Sequence, residues 1–441
     1  MKSINYKGKP RASRLNAARE EVMLRKATAA LAIIAAVSTL VSAEISFDTP
    51  KNTTLQQEIA NLELSIPQPA PIAEKVNLAK ADKEWTIMVF VNGKNNLEPY
   101  ALKDMNEMEM IGSTDKVNVV TELGRIAGYD SSDGNWISSR RYLVVKDANM
   151  AKIASPVVKD LGKVDMGDYK HLIDFVAWAK ATYPAKRYML VVWNHGAGWI
   201  KSRSMDATKG ISYDDETGNH INTPQLGMAL KAMGKIDVYG SDACLMQMPE
   251  VNYEIKDYVD YIVGSEETEP GDGYTYNLLL GPLAAKPTMT GAELGKLAVD
   301  AYADHYGTQD HTQSLVLASA MNGLIAPINN FVKAAMAANE KALIKTAMSG
   351  AQAYAYAENK DLWHFLSLYA ASSKDANVKT TAKALQDYLT GTLVLHNRVN
   401  SNYSDSHGLA IYMPNSVNSA YAELAWAKAA QWDEFIAWYV K

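Results

Sequence analysis

Short apolar runs alternate with segments of helical spacing along the chain from Trp85 onward. Continuous apolar runs of this length are typical of strands buried on both faces of a parallel sheet. The predicted strands cover residues 85–93, 117–123, 140–146, 187–196, 235–244 and 260–267. The predicted helices between them cover residues 97–112, 171–183, 223–233 and 248–258. This alternation predicts an α/β fold with a mostly parallel sheet flanked by helices.

The composition and the periodicity of the chain change after residue 284. Residues 285–441 are Ala-rich and mostly helical in spacing, with one late apolar strand at 408–414 before a last helix. We therefore predict an α/β domain at 83–284 and a helical C-terminal region at 285–441. The late strand either returns to the main sheet or edges a small one, and the sequence leaves both open. Residues 44–82 are polar and rich in proline, and we expect them to form a linker or pro-segment.

The N-terminus has the pattern of an export signal. Arg25 and Lys26 precede an apolar run over residues 27–43, which ends on small residues suited to signal-peptidase cleavage. Residues 1–43 are predicted to be a signal peptide with Met23 as the expected start, and a short uncleaved membrane anchor is the alternative. Cleavage predicts an exported protein, periplasmic or extracellular, with no stable membrane insertion. Loss of the 8 basic and 2 acidic residues of this segment lowers the formal net charge from −5 to −11.

The composition excludes several classes of function. An acidic chain is not expected to bind nucleic acid, because neutralising phosphates requires a basic surface. Cys244 is the single cysteine in 441 residues, which excludes an intramolecular disulfide and a zinc site built on several thiolates.

Two chemically useful residues follow predicted strands. His195 ends the run RYMLVVWNH and is followed by Gly196, and Cys244 ends the run IDVYGSDAC. Functional residues of open parallel sheets gather at the carboxyl ends of the strands, so neighbouring strands would bring these two side chains together. A nearby imidazole activates a thiol as a nucleophile and then protonates a leaving amine. The alternatives are a buried, inert cysteine and a histidine satisfied by a turn.

Metal binding has weaker support. The chain contains no HExxH motif, and Cys244 has no His or Cys partner at ligand spacing. The segment YDDETGNH at 213–220 offers Asp214, Asp215 and Glu216 as calcium ligands, although it lacks the spacing of an EF-hand loop. We expect an ordinary solvated turn there.

The motifs at these strand ends resemble those of the clostripain family of cysteine peptidases. The resemblance rests on WNHGAGW and SDACLM, with IMVFVNGKNNLE upstream and SEETEPGDGY downstream; it is strong over residues 83–280 and extends to GLAIYMP. It implies a caspase-like αβα sandwich, with 83–284 as the catalytic domain, and a preference for Arg or Lys at P1, the residue before the cleaved bond. It also implies that no cofactor is required for the chemistry, with a structural or activating role of calcium left open.

The resemblance also assigns roles residue by residue. His195 is the general acid/base, Cys244 is the nucleophile, and the backbone amides of Gly196 and Cys244 are the oxyanion donors. Asp272 matches the family's acidic residue in the pocket for the basic side chain. Asp242 is expected to shape the site or the pocket. The family often matures by cutting itself between the histidine and the cysteine, and Lys209 best matches the cleavage position.

Three functions compete at this stage. The preferred one is an exported cysteine endopeptidase that acts on peptides or proteins with Arg or Lys at P1 and matures by self-cleavage. A caspase-like peptidase of other specificity would need a basic pocket, whereas residues 265–273 are acidic. A non-catalytic exported α/β binding protein would carry an inert Cys244.

Overall fold

The computed structural model describes residues 83–199 and 210–441. The predicted signal peptide, the linker before residue 83 and Lys209 therefore lie outside the described residues. The strands are β1 Trp85–Gly93, β2 Val117–Arg125, β3 Ser139–Leu143, β4 Val157–Asp160, β5 Arg187–Trp193, β6 Gly210–Asp214, β7 Asn219–Asn222, β8 Ile236–Asp242, β9 Val259–Gly264, β10 Thr312–Leu317, β11 Asn359–Asp361, β12 Val394–Val399 and β13 Ala410–Tyr412.

Nine of these strands form one sheet in the order β12-β10-β9-β8-β5-β1-β2-β3-β4. The five central strands β9, β8, β5, β1 and β2 run parallel to one another. Two antiparallel strands extend the sheet on each side. The predicted parallel sheet is thus confirmed at the centre, and the complete sheet is mixed.

Helices cover both faces of this sheet. They are α1 Glu98–Glu109, α2 Tyr169–Thr182, α3 Thr223–Met233, α4 Pro249–Ile255, α5 Tyr276–Ala285, α6 Gly291–Tyr306, α7 Met321–Ala338, α8 Lys341–Gly350, α9 Leu362–Ser372, α10 Ala376–Tyr388, α11 Ala425–Ala429 and α12 Trp432–Tyr439. Side chains of a strand alternate between faces, so Met88 and Phe90 of β1 enter one core while Val89 and Val91 enter the other. Helices α1, α5 and α6 pack on the second core, and the remaining helices pack on the first. This is the αβα sandwich that the sequence predicts.

Local sequence signals set the helix that connects the two central strands β5 and β8. Asn222 caps the start of α3 by accepting from the Gln225 amide, and the Gln225 side chain accepts from the Asn222 amide in return. Gly234 ends the helix with φ of +70°, a conformation that glycine adopts without steric cost. The chain then turns directly into β8, and Cys244 follows two residues after the end of that strand.

The C-terminal region differs in one respect from its prediction as a helical region with a single strand. It supplies β10 and β12 to one edge of the main sheet, where they pair antiparallel to each other. The late strand, β13, pairs instead with β11 in a separate two-stranded sheet, which confirms the second of the two alternatives. The division at residue 284 stays a prediction, and the sheet continues across it. Among residues 83–199 and 210–441, no helix is both long and apolar enough to cross a membrane.

Candidate active site

Strand pairing places His195 and Cys244 side by side along the sheet. β5 and β8 are parallel neighbours, and Trp193 at the end of β5 pairs with Asp242 at the end of β8. His195 and Cys244 each follow two residues after this last pair, so both lie at the same carboxyl edge. The two strands are thus neighbours, which is the condition under which the sequence analysis expected the two residues to meet.

The backbone is tightly packed where the two loops meet. A Cβ atom added at Gly196 would lie 2.4 Å from the Cys244 carbonyl oxygen and 3.0 Å from its nitrogen. Glycine is therefore required at 196 for this approach. On the other side of the cysteine, Leu245 has φ of +63°, a left-handed conformation that costs a non-glycine residue about 1 kcal/mol or more. The Leu245 amide donates to Glu267 O at 3.1 Å, which holds this turn in place.

The His195 imidazole is oriented by Asn96, which the sequence analysis missed. The distance from His195 Nε2 to Asn96 Oδ1 is 2.7 Å. Asn96 lies just beyond the end of β1, the other neighbour of β5, so it reaches the same edge of the sheet. Donation from Nε2–H to an amide oxygen leaves Nδ1 as the basic atom of the neutral ring. The polar run GKNNLE after a buried strand was the signal that could have found it.

Burial favours the uncharged form of both His195 and Cys244. Burial lowers the pKa of His195 to about 4, because removal from water disfavours the imidazolium. Burial, with a smaller contribution from the Glu269 carboxylate, raises the pKa of Cys244 to about 12. Burial therefore favours a neutral thiol and a neutral imidazole in the resting site over a thiolate–imidazolium ion pair.

Asp242 lies buried beneath the cysteine loop. Its Oδ1 accepts from the Tyr274 amide at 3.0 Å, and its Oδ2 accepts from the Tyr276 hydroxyl at 2.8 Å. A Cβ atom at Gly273 would lie 2.5 Å from Oδ1, so the 273–276 backbone wraps closely around the carboxyl group. Burial raises the pKa of Asp242 to about 7. A pKa near neutrality means that the charge of the Asp242 carboxyl group depends on the charges of its neighbours.

Asp272 occupies a more open position. Its side chain is 41% exposed, and its Oδ1 pairs with Lys103 Nζ of α1 at 2.8 Å. Lys103 also lies 3.7 Å from Glu107 Oε1. The acidic residue expected in the substrate pocket therefore already has a basic partner from the same chain.

A lysine from outside the segment offered as a calcium site, directly after β1, pairs with two of its acidic residues. Lys94 Nζ lies 2.8 Å from Glu216 Oε2 and 3.4 Å from Asp214 Oδ2. Asp214 also accepts amide hydrogens from Met166, Glu216 and Thr217. Within the described part of the chain, no group of three or more His, Cys, Asp or Glu side chains is arranged to hold a metal ion. A role for calcium stays a prediction.

A central parallel sheet with histidine and cysteine at adjacent strand ends defines the class as an α/β sandwich with a candidate thiol–imidazole site. The sequence profile of the clostripain family matches residues 89–438, which is most of the chain. The chain therefore belongs to the clostripain family of cysteine peptidases. It is 24% identical over 284 residues to the clostripain of Hathewaya histolytica, which covers 60% of this chain and 53% of that protein. The chain thus spans about half the length of this relative.

Two solved structures have the same fold. A secreted C11 cysteine protease from Bacteroides thetaiotaomicron, in complex with an irreversible peptide inhibitor, matches with a TM-score of 0.61 and 21% identity over 79% of this chain and 99% of that one. An inactive zymogen C11 protease from Parabacteroides distasonis matches with a TM-score of 0.59 and 19% identity over 80% of this chain and 99% of that one.

Proposed function

We propose that this chain is an exported cysteine endopeptidase that hydrolyses peptide bonds after Arg or Lys. The observation that carries the proposal is the pairing of Trp193 with Asp242, which brings His195 and Cys244 to one edge of the sheet. Membership of the clostripain family supports the same assignment.

The proposed reaction uses the thiol and the imidazole in turn. The Cys244 thiol proton passes to His195 as Sγ attacks the carbonyl carbon of the scissile bond. The backbone amides of Gly196 and Cys244 then stabilise the oxyanion, an assignment supported by the close approach of these two residues. His195 returns the proton to the leaving amine, which leaves a thioester on Cys244. Water deprotonated by His195 hydrolyses the thioester and restores the free thiol.

Starting from a neutral pair has a consequence for this mechanism. Proton transfer must accompany attack, because burial holds the thiol protonated until substrate arrives. The bond from Nε2 to Asn96 keeps the imidazole in one tautomer during this step and stabilises the transient imidazolium. We assign Asn96 the role of a positioning residue.

Carboxyl groups near the nucleophile support selection of a basic side chain. Asp242 is buried two residues before Cys244, and Asp272 lies on the following loop. A guanidinium or ammonium group gains most from a carboxylate that is shielded from water. Binding at Asp272 would compete with Lys103, so we expect Asp272 to contribute less than Asp242.

Cleavage-site profiling tests the activity and its specificity together. A peptide mixture incubated with the protein should be cut after Arg and Lys, and the Cys244→Ala protein should cut none of these sites. Thiol alkylation of the unsubstituted protein should abolish the same cuts. Cleavage after other residues would contradict the pocket assignment, and cleavage by the Cys244→Ala protein would contradict the nucleophile.

Maturation and export form a further part of the proposal. The related structures include a zymogen and a secreted protease, which supports both steps here. We propose self-cleavage after Lys209 and removal of residues 1–43 on export. The Cys244→Ala and Lys209→Ala proteins should each stay intact between the histidine and the cysteine. If the Cys244→Ala protein is cut there as efficiently as the unsubstituted one, self-cleavage is wrong.

The chemistry requires no cofactor in this proposal, and calcium would act only on structure or activation. Dialysis against EDTA followed by return of calcium tests this part. Retention of the Cys244-dependent cleavage without calcium is expected. Complete loss that returning calcium reverses would instead give calcium an activating or structural role, and loss that calcium cannot restore but another divalent ion can would contradict the proposal.

A further inference from the structure

The main chain of Glu269 contacts the sulfur atom of the proposed nucleophile, Cys244. The Glu269 amide donates to Cys244 Sγ at 3.3 Å, and Sγ lies 4.0 Å from the Glu269 carbonyl oxygen. The main chain at Glu269 therefore contacts the thiol. The direction of the Glu269 side chain determines which groups its carboxyl group meets next to the thiol.

The Glu269 side chain turns toward Asp242. Its Oε1 accepts from Gln313 Nε2 at 3.2 Å, and its Oε2 is buried with no hydrogen-bond donor among the described residues. The neighbour within hydrogen-bonding reach is the Asp242 carboxyl group. Two carboxyl groups can bond to each other only by sharing a proton. We call Asp242 and Glu269 the carboxyl pair.

The wall around the carboxyl pair contains polar atoms that have no partner. The hydroxyl groups of Tyr274 and Tyr302 are both buried, and neither has a hydrogen-bond partner among residues 83–199 and 210–441. Their rings form an edge-on pair with centroids 5.9 Å apart. The electrostatic field of the carboxyl pair reaches both hydroxyls, and Tyr302 also feels Cys244. Unpaired buried hydroxyls beside acids indicate a place for a ligand that donates hydrogen bonds.

The charged and titratable groups facing the carboxyl pair come from every element packed around it. Glu107 and Tyr276 act on Asp242 directly. The side chains packed around the carboxyl pair are in turn influenced by Lys103 and Asp104 of α1, Tyr239 of β8, Cys244 and Glu267 of the adjoining loops, Asp272 and Tyr274 before α5, and Tyr302 and Tyr306 of α6. Lys103 is the cation in this set, and Asp272 holds its ammonium group at 2.8 Å. Within the described part of the chain, no Lys, Arg or His side chain forms an ion pair with Asp242 or Glu269, so a shared proton is the counter-charge of the carboxyl pair.

We propose that Glu269 is a specificity-determining residue, and that the carboxyl pair exchanges its shared proton for the cationic group of the P1 side chain. This inference rests on the proposed cleavage after Arg or Lys. With one proton the pair carries one negative charge, and a bound guanidinium or ammonium takes over the proton's role of bridging the two acids. An uncharged P1 side chain cannot replace the proton, so the two acids keep it and the Tyr274 and Tyr302 hydroxyls stay without a partner.

The ionisation behaviour of the two acids supports this exchange. Burial raises the pKa of Asp242 to about 7, and burial together with the charge of Asp242 holds the pKa of Glu269 well above its usual range. Near neutral pH the empty site therefore retains at least one proton. A cation placed between the acids lowers both pKa values, so binding releases a proton to solvent.

Calorimetry on the Cys244→Ala protein tests the exchange without turnover. Binding of a peptide ending in Arg is measured at pH 8, above the pKa of Asp242, in two buffers of different ionisation enthalpy, which gives the number of protons released. We expect about one proton per Arg peptide bound. Adding Glu269→Gln should reduce this number to near zero and weaken binding about tenfold, because the amide donates permanently to Asp242. Asp272→Asn is the matched control, and it should weaken binding without changing the proton count.

Two further measurements keep the outcomes distinct. Gln313→Met removes the donor to Glu269 Oε1 and should move the pH range of proton release upward, which applies even if the Glu269→Gln protein does not fold. The same proton count with and without Glu269→Gln, or no proton release at all, would overturn the exchange. If the protein with an intact cysteine still cuts after Arg, the proposed function stands while this inference falls. If Arg peptides neither bind nor are cut, both fall.

Discussion

Glu250 provides a test of how the C-terminal region is attached to the site. It lies on α4, shortly after Cys244, and is fully buried. Its Oε1 accepts from the Tyr412 amide at 3.1 Å and from the Tyr421 hydroxyl at 2.7 Å, while Oε2 has no partner in the described chain. Burial raises the pKa of Glu250 from 4.5 to about 7. The folded protein therefore holds this residue protonated under conditions where the unfolded chain ionises it.

The sign and size of the effect follow from this difference. Between pH 4.5 and 7 the folded state binds more protons than the unfolded state, so stability is full at low pH and falls as pH rises. One pKa unit is worth about 1.4 kcal/mol, so the rise from 4.5 to about 7 amounts to about 3 kcal/mol across the titration. Glu250→Gln keeps an oxygen acceptor for Tyr412 and Tyr421 but cannot ionise. Its stability relative to the parent should therefore increase by up to about 3 kcal/mol from pH 4.5 to pH 8.

Urea unfolding monitored by tryptophan fluorescence measures this difference. Both proteins carry Cys244→Ala to prevent self-digestion, and free energies of unfolding are compared at several pH values. Glu358→Gln, a change at an exposed carboxyl group, serves as the control and should track the parent. Parallel pH profiles for the parent and Glu250→Gln would refute the argument that Glu250 is protonated in the fold.

Three other perturbations test the site. Gly196→Ala should lower kcat/KM by about a hundredfold, because the added methyl group displaces the Cys244 backbone. Gly391 faces open space, so the control Gly391→Ala should leave kcat/KM unchanged. Equal activity of the two variants would contradict the packing argument. Asn96→Asp should move the acidic limb of the pH–rate profile to higher pH, because a carboxylate stabilises the imidazolium of His195. Asn96→Ala should lower kcat at every pH. Unchanged profiles in both variants would exclude a positioning role for Asn96. Alkylation of Cys244 by iodoacetamide should accelerate about tenfold per pH unit from pH 6 to 9, because the resting thiol is protonated, and a plateau above pH 5 would indicate a preformed ion pair.

The sequence predicted the centre of this fold better than its margins. Strands β1, β5 and β8 are buried on both faces, so their apolar runs stand out and their ends locate His195 and Cys244. β4 is an exposed edge strand of four residues, too short and too polar for such a signal. β12 follows α10 after a single π-helical turn, so its residues extend the helical pattern and were predicted as helix. An antiparallel edge strand of this kind is defined by its partner β10, and pairing is not visible in local periodicity.

Long-range contacts explain what the sequence left out of the site. Asn96 acquires its role because β1 lies beside β5, an order that no local pattern encodes. Asp272 could be matched by motif, but its ion pair with Lys103 depends on the packing of α1 against the loop before α5. Glu269 was one of several acids in an acidic segment, and only the fold distinguishes it from its neighbours. Motifs therefore identify residue types, whereas protonation and partners depend on the assembled sheet.

The C-terminal region contacts both the loop that carries His195 and the helix that follows Cys244. Trp199, at the end of the histidine loop, packs edge-on against Tyr412 and Tyr421 with ring centroids 4.7 and 4.8 Å away. The same two tyrosines bind Glu250 on the cysteine side through the Tyr412 amide and the Tyr421 hydroxyl. One small cluster thus fixes the spacing of the two loops, and residues near 410–421 act on the site without lying in it.

The three glutamates of segment 265–269 have two different sets of contacts. Glu266 accepts from the Tyr354 hydroxyl and the Gly408 amide, and Glu267 accepts from the Ala355 amide and the Tyr403 hydroxyl. These two carboxyl groups fasten the segment to the C-terminal region. Glu269 is then presented on the opposite side of the same stretch, toward Cys244. The acidity of this segment, which in the sequence argued for a basic substrate, is thus partly structural, and the proposed binding of a basic side chain depends on the carboxyl groups beside the thiol.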